Sequence, residues 1–180
     1  VPTKFVGIPN YERLWQAVAF LNAFFRTATF ALLVVPLQCF LGLCAAMLIN
    51  GKLPMRNLFR GIYFLPTVIS MVVVAAVWAS LYQREGFFNY ALQGISFGAA
   101  GPVDWLQNPY TAMISLVVMS AWQGFPFQMI VYLAGLQGIS KDLYEAAQIE
   151  GANRWQEFWN VTMPALRNTH ILVAMTTTIF

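Results

Sequence analysis

Charged side chains are scarce in this sequence, and where they are missing says more than how few there are. Asp, Glu, Lys and Arg make up 9% of the residues against 59% hydrophobic ones, a balance unlike that of a soluble domain of this size. None of the four occurs between Arg26 and Lys52, between Arg60 and Arg84, or between Asp104 and Lys141. Each gap holds the roughly 20 residues with which a helix crosses a hydrocarbon core about 30 Å thick. The gaps lack the alternation of barrel strands, so helices are what satisfies the backbone in lipid. No run carries a charge at its centre, which argues against proton relays and voltage sensing. A net charge of +3 with no basic stripe leaves nucleic acid without an electrostatic footprint. Histidine is represented only by His170, at the mouth of an apolar run, where an incidental role is expected rather than a catalytic one. The two cysteines, Cys39 and Cys44, share one run but not one helix face, and read as small buried hydrophobes rather than a disulfide. No catalytic constellation is visible. Gly51-Lys52 lacks the upstream glycine spacing and the following Ser or Thr of a phosphate-binding loop.

What is present is an all-α, polytopic membrane pattern. An interfacial lead-in covers 1–19. Spans are expected at 27–49, 61–82 and 112–138, the last kinked at Pro126, and a fourth begins near Thr169. The chain opens on Val1 and stops inside that fourth run, so it reads as a fragment with at least one helix missing downstream. A short basic turn occupies 51–60, and a longer glycine-bearing connection occupies 83–109. Lys52, Arg56 and Arg60 in the first, against Arg84 alone in the second, place 51–60 in the cytoplasm and 83–109 outside. The 139–168 segment, with Lys141, Arg154 and Arg167, then falls in the cytoplasm too. Lys4, Arg13 and Arg26 in the external lead-in run against this rule.

The 139–164 segment is charged and amphipathic in a chain that is otherwise neither. Ser140 suits a helix N-cap, and Leu143, Ala146, Ala147 and Glu150 repeat at one-face spacing. Gly151 suits a helix end and turn. Asn153 with Gln156 resembles a capping box, and Trp155, Phe158, Trp159 and Thr162 repeat the one-face spacing before Pro164. Two readings stand. A helix lying on the membrane would want Lys and Arg on its polar face. The polar residues here, among them Asp142, Glu145, Gln148, Glu150, Gln156 and Glu157, are acidic or neutral, which suits a helix seated in a protein groove better.

Glu145-Ala146-Ala147, then Gly151-Ala152, then Phe158 and Pro164, resemble the EAA loop of ABC importer permeases. Ala134-Gly135-Leu136-Gln137, Leu65-Pro66, Trp78, Gly86, Asn89, Trp105-Leu106, Pro109, and Phe5-Val6-Gly7 with Asn10-Tyr11 are similar to the carbohydrate-importer branch, the family of the maltose and glycerol-3-phosphate permeases. The resemblance covers essentially the whole chain. It implies one transmembrane domain over 1–180, holding helices two to four of a six-helix bacterial inner-membrane permease and the start of helix five, with 139–164 as the cytoplasmic coupling hairpin. It also implies the roles. Glu145 is an acidic contact to a separate ATP-binding subunit, Gly151 is the hinge, and Ala146, Ala147 and Ala152 allow close approach. Glu150, Phe158 and Pro164 complete the coupling set. No cofactor is expected in this chain, because ATP would be bound and hydrolysed by that partner. A second, homologous permease, an extracytoplasmic solute-binding protein and membrane lipid are the other partners implied. Two positions depart from the family. Asn168 stands where many relatives have a second proline, which softens the kink into the next helix, and Arg26 stands where relatives often have Asn.

Within the third span, Ser120, Gly124 and Gln128 form a stripe with Gln123 and Phe127 beside it. Intramembrane polar groups are functional candidates, and amides with an aromatic face suit a sugar. Helix packing through small residues is the competing reading, and it is the one assigned to Gln38, Gly42 and Ala46 on the first span. Thr67 and Ser70 carry less. The absence of charge favours a neutral carbohydrate over glycerol-3-phosphate. The function expected is therefore sugar translocation by an ABC importer permease. Another polar-solute permease, a gradient-driven carrier and a non-transporting scaffold are the rivals.

Overall fold

A computed structural model describes residues 7–51, 56–99 and 101–179, with only the backbone course of 56–60. Residues 52–55 of the 51–60 basic turn, the side chains of 56–60, and Lys4, Phe5 and Val6 lie outside the described residues. Every element among them is helical. In chain order these are α1 Pro9–Gln16, α2 Val18–Asn50, α3 Arg56–Val68, α4 Met71–Leu81, α5 Phe87–Ile95, α6 Pro109–Gln137, α7 Lys141–Ile149, α8 Arg154–Glu157, a π turn Phe158–Thr162, α9 Met163–Ala165 and α10 Arg167–Ile179.

Helices α2 and α6 are the frame, and both are long and apolar enough to cross a membrane. Helix α2 starts well before residue 27, because Val18–Phe25 is as apolar as the charge-free run and one surface arginine does not end a helix. Both helices continue through an internal proline, Pro36 and Pro126. They meet closely at Gly42, where a Cβ would stand 2.7 Å from the Gln128 Cβ and 3.1 Å from the α6 backbone. Small residues at such a crossing let van der Waals packing hold helices together in lipid, where no hydrophobic drive does so. Ala45, Ala46 and Ile49 of α2 pack with Met129, Tyr132, Leu133 and Leu136 of α6, joined by Leu166 and by Val173 of α10. The Tyr132 hydroxyl and His170 Nδ1, 2.8 Å apart, tie α10 to α6. Cys39 and Cys44 are free thiols.

The 61–82 run is not one straight span. Helices α3 and α4 meet at 103° across Ile69–Ser70. Pro66 removes one hydrogen-bond donor from the last turn of α3. Ser70 then takes an extended ψ of 136° before Val74 N–H bonds back to its carbonyl at 3.0 Å. Among the described residues two helices therefore qualify as spans, or three when the bent pair is counted as one. Helix α10, expected to begin a further span, has 13 described residues and is not among the helices long enough to qualify.

At the far end of α4 and α6, Asn89 organises the connection. Its amide donates to the carbonyls of Arg84 at 3.1 Å and Val103 at 3.0 Å, and more weakly to Gln83. Its oxygen accepts from Val103 N–H at 2.9 Å and Trp105 Nε1 at 3.1 Å. Around it Tyr82 stacks on Phe88 at 4.8 Å, and Trp78 meets Trp122 at 5.5 Å. The Tyr82 hydroxyl donates to the Ser115 carbonyl at 2.8 Å. Asn89 is 1% exposed, so its loss strands several buried groups, each costing about 1–3 kcal/mol. Asn89→Ala is expected to lower stability by about 3 kcal/mol, read as a drop in the thermal midpoint of the purified protein. A midpoint equal to wild type would mean that the connection is not held by this residue.

Candidate functional site

Helix α6 leads within three residues into the hairpin, whose parts are set by local chemistry. The Ser140 hydroxyl accepts from Asp142 N–H at 3.2 Å and caps α7. Gly151 ends it with φ +80°. Gly151 N–H reaches the Gln148 carbonyl at 3.0 Å, and Ala152 N–H reaches the Ala147 carbonyl at 2.9 Å, the paired closure that needs a left-handed residue at this position. Asn153 and Gln156 form a reciprocal capping box, with bonds of 2.9 and 3.0 Å.

The hairpin stands clear of the bundle. Glu145, Ala146, Glu150, Gly151 and Pro164 are exposed, and Ala147, Ala152 and Phe158 are half-buried. Apolar side chains project from it as well, Ile149 at 88% exposure and Trp155 at 68%.

The face expected to join Trp155, Phe158, Trp159 and Thr162 is broken. Trp155 and Trp159 are exposed while Thr162 is buried and meets the Tyr144 hydroxyl at 3.0 Å. The cause is the π turn, in which Met163 N–H bonds to the Phe158 carbonyl five residues back. Pro164 has no N–H for the normal ladder and crowds the carbonyl four residues before it, and a wider turn relieves both. The extra residue rotates Thr162 off the line of the tryptophans. Similarly, Tyr144 and Ala147 of α7 turn toward the bundle while Leu143, Ala146 and Glu150 face away.

A cavity of about 580 Å³ opens between α2, the α3–α4 break, α6 and α10. Ser120, Gln123, Phe127 and Gln128 all line it, and no lining residue is charged. Packing and lining are not alternatives here. Gln38 Nε2 donates to the Ser120 carbonyl at 2.8 Å, over Gly124, where any side chain would collide with the Gln38 amide. Gln128 Nε2 donates to Thr177 Oγ1 at 2.6 Å, while Gln128 Oε1 is buried with no partner among the described residues. Four polar lining residues fall outside the expected substrate-path set, namely Gln38, Thr67, Thr176 and Thr177. The signal for the last two is the Thr176-Thr177-Thr178 run in an apolar segment.

Residues 38–179 match the family described as binding-protein-dependent transport system inner membrane component. The trehalose/maltose transport system permease protein MalF of Thermococcus litoralis is 36% identical over 99% of this chain and 60% of its own length. The lactose transport system permease protein LacF of Rhizobium radiobacter is 36% identical over 98% of this chain and 59% of its own. The chain thus spans about three fifths of these relatives. A crystal structure of a bacterial ABC transporter involved in the import of the acidic polysaccharide alginate superposes with a TM-score of 0.81 at 27% identity, over 97% of this chain and 61% of that one. The alginate transporter in complex with a pentasaccharide-bound periplasmic protein gives 0.79 at 26% identity, over 96% of this chain and 60% of that one. The chain belongs to the family of inner-membrane permease components of binding-protein-dependent ABC importers.

Proposed function

We propose that this chain forms part of a multi-pass permease subunit that imports a neutral sugar by alternating access. A solute-binding protein delivers the sugar on the side of the 83–109 connection, and a separate ATPase grips the 139–164 hairpin on the cytoplasmic side. A second, homologous permease completes the pathway. The observation that carries this reading is that one helix, α6, both walls the uncharged cavity and runs into the exposed hairpin. Closure of an ATPase dimer would move α7 and α8, and a rigid α6 transmits that motion to the cavity, as in other transitions between packed arrangements. Gln123 and Gln128 offer hydrogen bonds to hydroxyls, and Phe127 offers a face to the apolar side of a sugar ring. The charge-free lining disfavours glycerol-3-phosphate, which calls for Arg or Lys. It also disfavours a gradient-driven carrier, which calls for intramembrane charge.

The test is Gln128→Ala in the assembled transporter. Sugar uptake is expected to fall about tenfold, the loss of roughly 1.4 kcal/mol, with subunit assembly and basal ATP hydrolysis unchanged. Unaltered uptake would assign Gln128 to packing alone. Uptake that persists without ATP would contradict the importer reading as a whole.

A further inference from the structure

Arg26, the departure left without a role, sits at the rim of a second cleft. This cleft of about 910 Å³ lies between the first half of α2 and the start of α6. Past Arg26, Thr27 and Thr29 its walls are apolar, formed by Phe30 and Leu33 of α2 with Met113, Ile114 and Leu116 of α6. Arg26 is exposed and has no carboxylate partner among the described residues. Its depth in the membrane can be read from its neighbours. The charge-free run of α2 begins at the next residue. Toward the N-terminus, Trp15 of α1 packs edge-on against Phe20 and Phe24 of α2, with ring centroids 5.9 and 6.3 Å away. Trp15 and Phe25 are more than 60% exposed, and Tyr110 across the cleft is 84% exposed. Aromatic rings of this kind collect at the membrane–water boundary. A guanidinium at headgroup depth above an apolar channel that descends into the hydrocarbon matches one amphiphile, with a phosphate at its head and an acyl chain below.

We propose that this cleft seats a single anionic phospholipid, in the leaflet on the side of the 83–109 connection. Arg26 binds the phosphate through parallel N–H donors, the geometry in which Arg surpasses Lys. The acyl chain lies along Phe30, Leu33, Ile114 and Leu116. The seat fills the cleft between α2 and α6, so an occupied cleft braces the frame that also walls the transport cavity. The inference requires only that α2 and α6 span a membrane, and stands apart from the identity of the transported solute.

The experiment uses the full-length permease assembled with its partner subunits, in nanodiscs of equal parts phosphatidylcholine and phosphatidylglycerol. Native mass spectrometry counts the lipid retained after mild stripping, and a photo-crosslinking residue at Leu33 captures whatever lies in the channel. Wild type is expected to retain one phosphatidylglycerol and to give a lipid adduct. Arg26→Gln is expected to lower that retention about fivefold, the scale of one cation at an anionic lipid surface, and Arg26→Lys to restore part of it. Equal retention of the two lipids, retention unchanged in Arg26→Gln, or a protein adduct at Leu33 from another segment or subunit would each overturn the proposal.

Discussion

Replacing Gly151 by valine is expected to abolish substrate-stimulated ATP hydrolysis while leaving the protein inserted and assembled. No heavy atom lies within 4 Å of where a Cβ would be, so crowding is not the reason. The reason is the backbone, held at φ +80°. A β-branched residue there pays about 1–3 kcal/mol in strain. It escapes by leaving the left-handed region and giving up the Gly151–Gln148 and Ala152–Ala147 closures that fix α7 against α8. The two arms then point differently, and a partner that grips one no longer moves the other. Asn tolerates this region better than most residues, so Gly151→Asn is expected to retain a large share of the coupling that Gly151→Val loses. ATP hydrolysis and uptake in proteoliposomes check both. Wild-type coupling in Gly151→Val would show that the turn's conformation is immaterial.

Gly42→Val is expected to act through the opposite physics. Here the φ is ordinary and the space is not. The new Cβ would sit 2.7 Å from the Gln128 Cβ and 3.1 Å from both the Gln128 carbonyl carbon and the Met129 nitrogen. The backbone of α6 cannot swing aside as a side-chain tip can, so the two frame helices must part. Overpacking of this kind costs about 1–3 kcal/mol, and the upper end is expected because the collision involves main chain. Separation would also unseat Gln128 from Thr177, so yield, thermal midpoint and uptake should fall together. Gly61→Ala is the control. A Cβ there meets nothing within 4 Å, and the change should be neutral or slightly stabilising. Equal midpoints for Gly42→Val and wild type would contradict the close crossing.

The features legible in the sequence are those encoded within a few residues. The gaps in charge located α2 and α6, because crossing lipid is a demand on a continuous stretch. Ser140, Gly151 and the Asn153–Gln156 box are each satisfied by bonds spanning at most five residues, and the structure forms all of these caps. The break at Ile69–Ser70 was not legible, because hydropathy is silent about ψ and the two arms together are apolar enough to pass as one span. Nor was the turn of Thr162 away from the tryptophans, since one-face spacing assumes 3.6 residues per turn and Pro164 enforces a wider one. The cavity was half legible. Ser120, Gln123, Phe127 and Gln128 stand on one helix and are found by periodicity. Their partners Gln38 and Thr177 are 82 and 49 residues away, and only the folded chain brings them close. Gln38 and Gly124 illustrate the consequence, a packing notch and a cavity wall being the same pair of residues.

The most direct test is site-specific crosslinking at the hairpin. Ala146→Cys, in a full-length permease with Cys39 and Cys44 replaced, is probed in the assembled transporter with and without ATP. The expected result is a crosslink to the ATP-binding subunit whose yield changes with nucleotide, together with protection of the thiol from an impermeant reagent added outside. Labelling of that thiol from the outer surface, or active uptake with the thiol crosslinked only to lipid, would contradict the hairpin as the point where force enters the membrane.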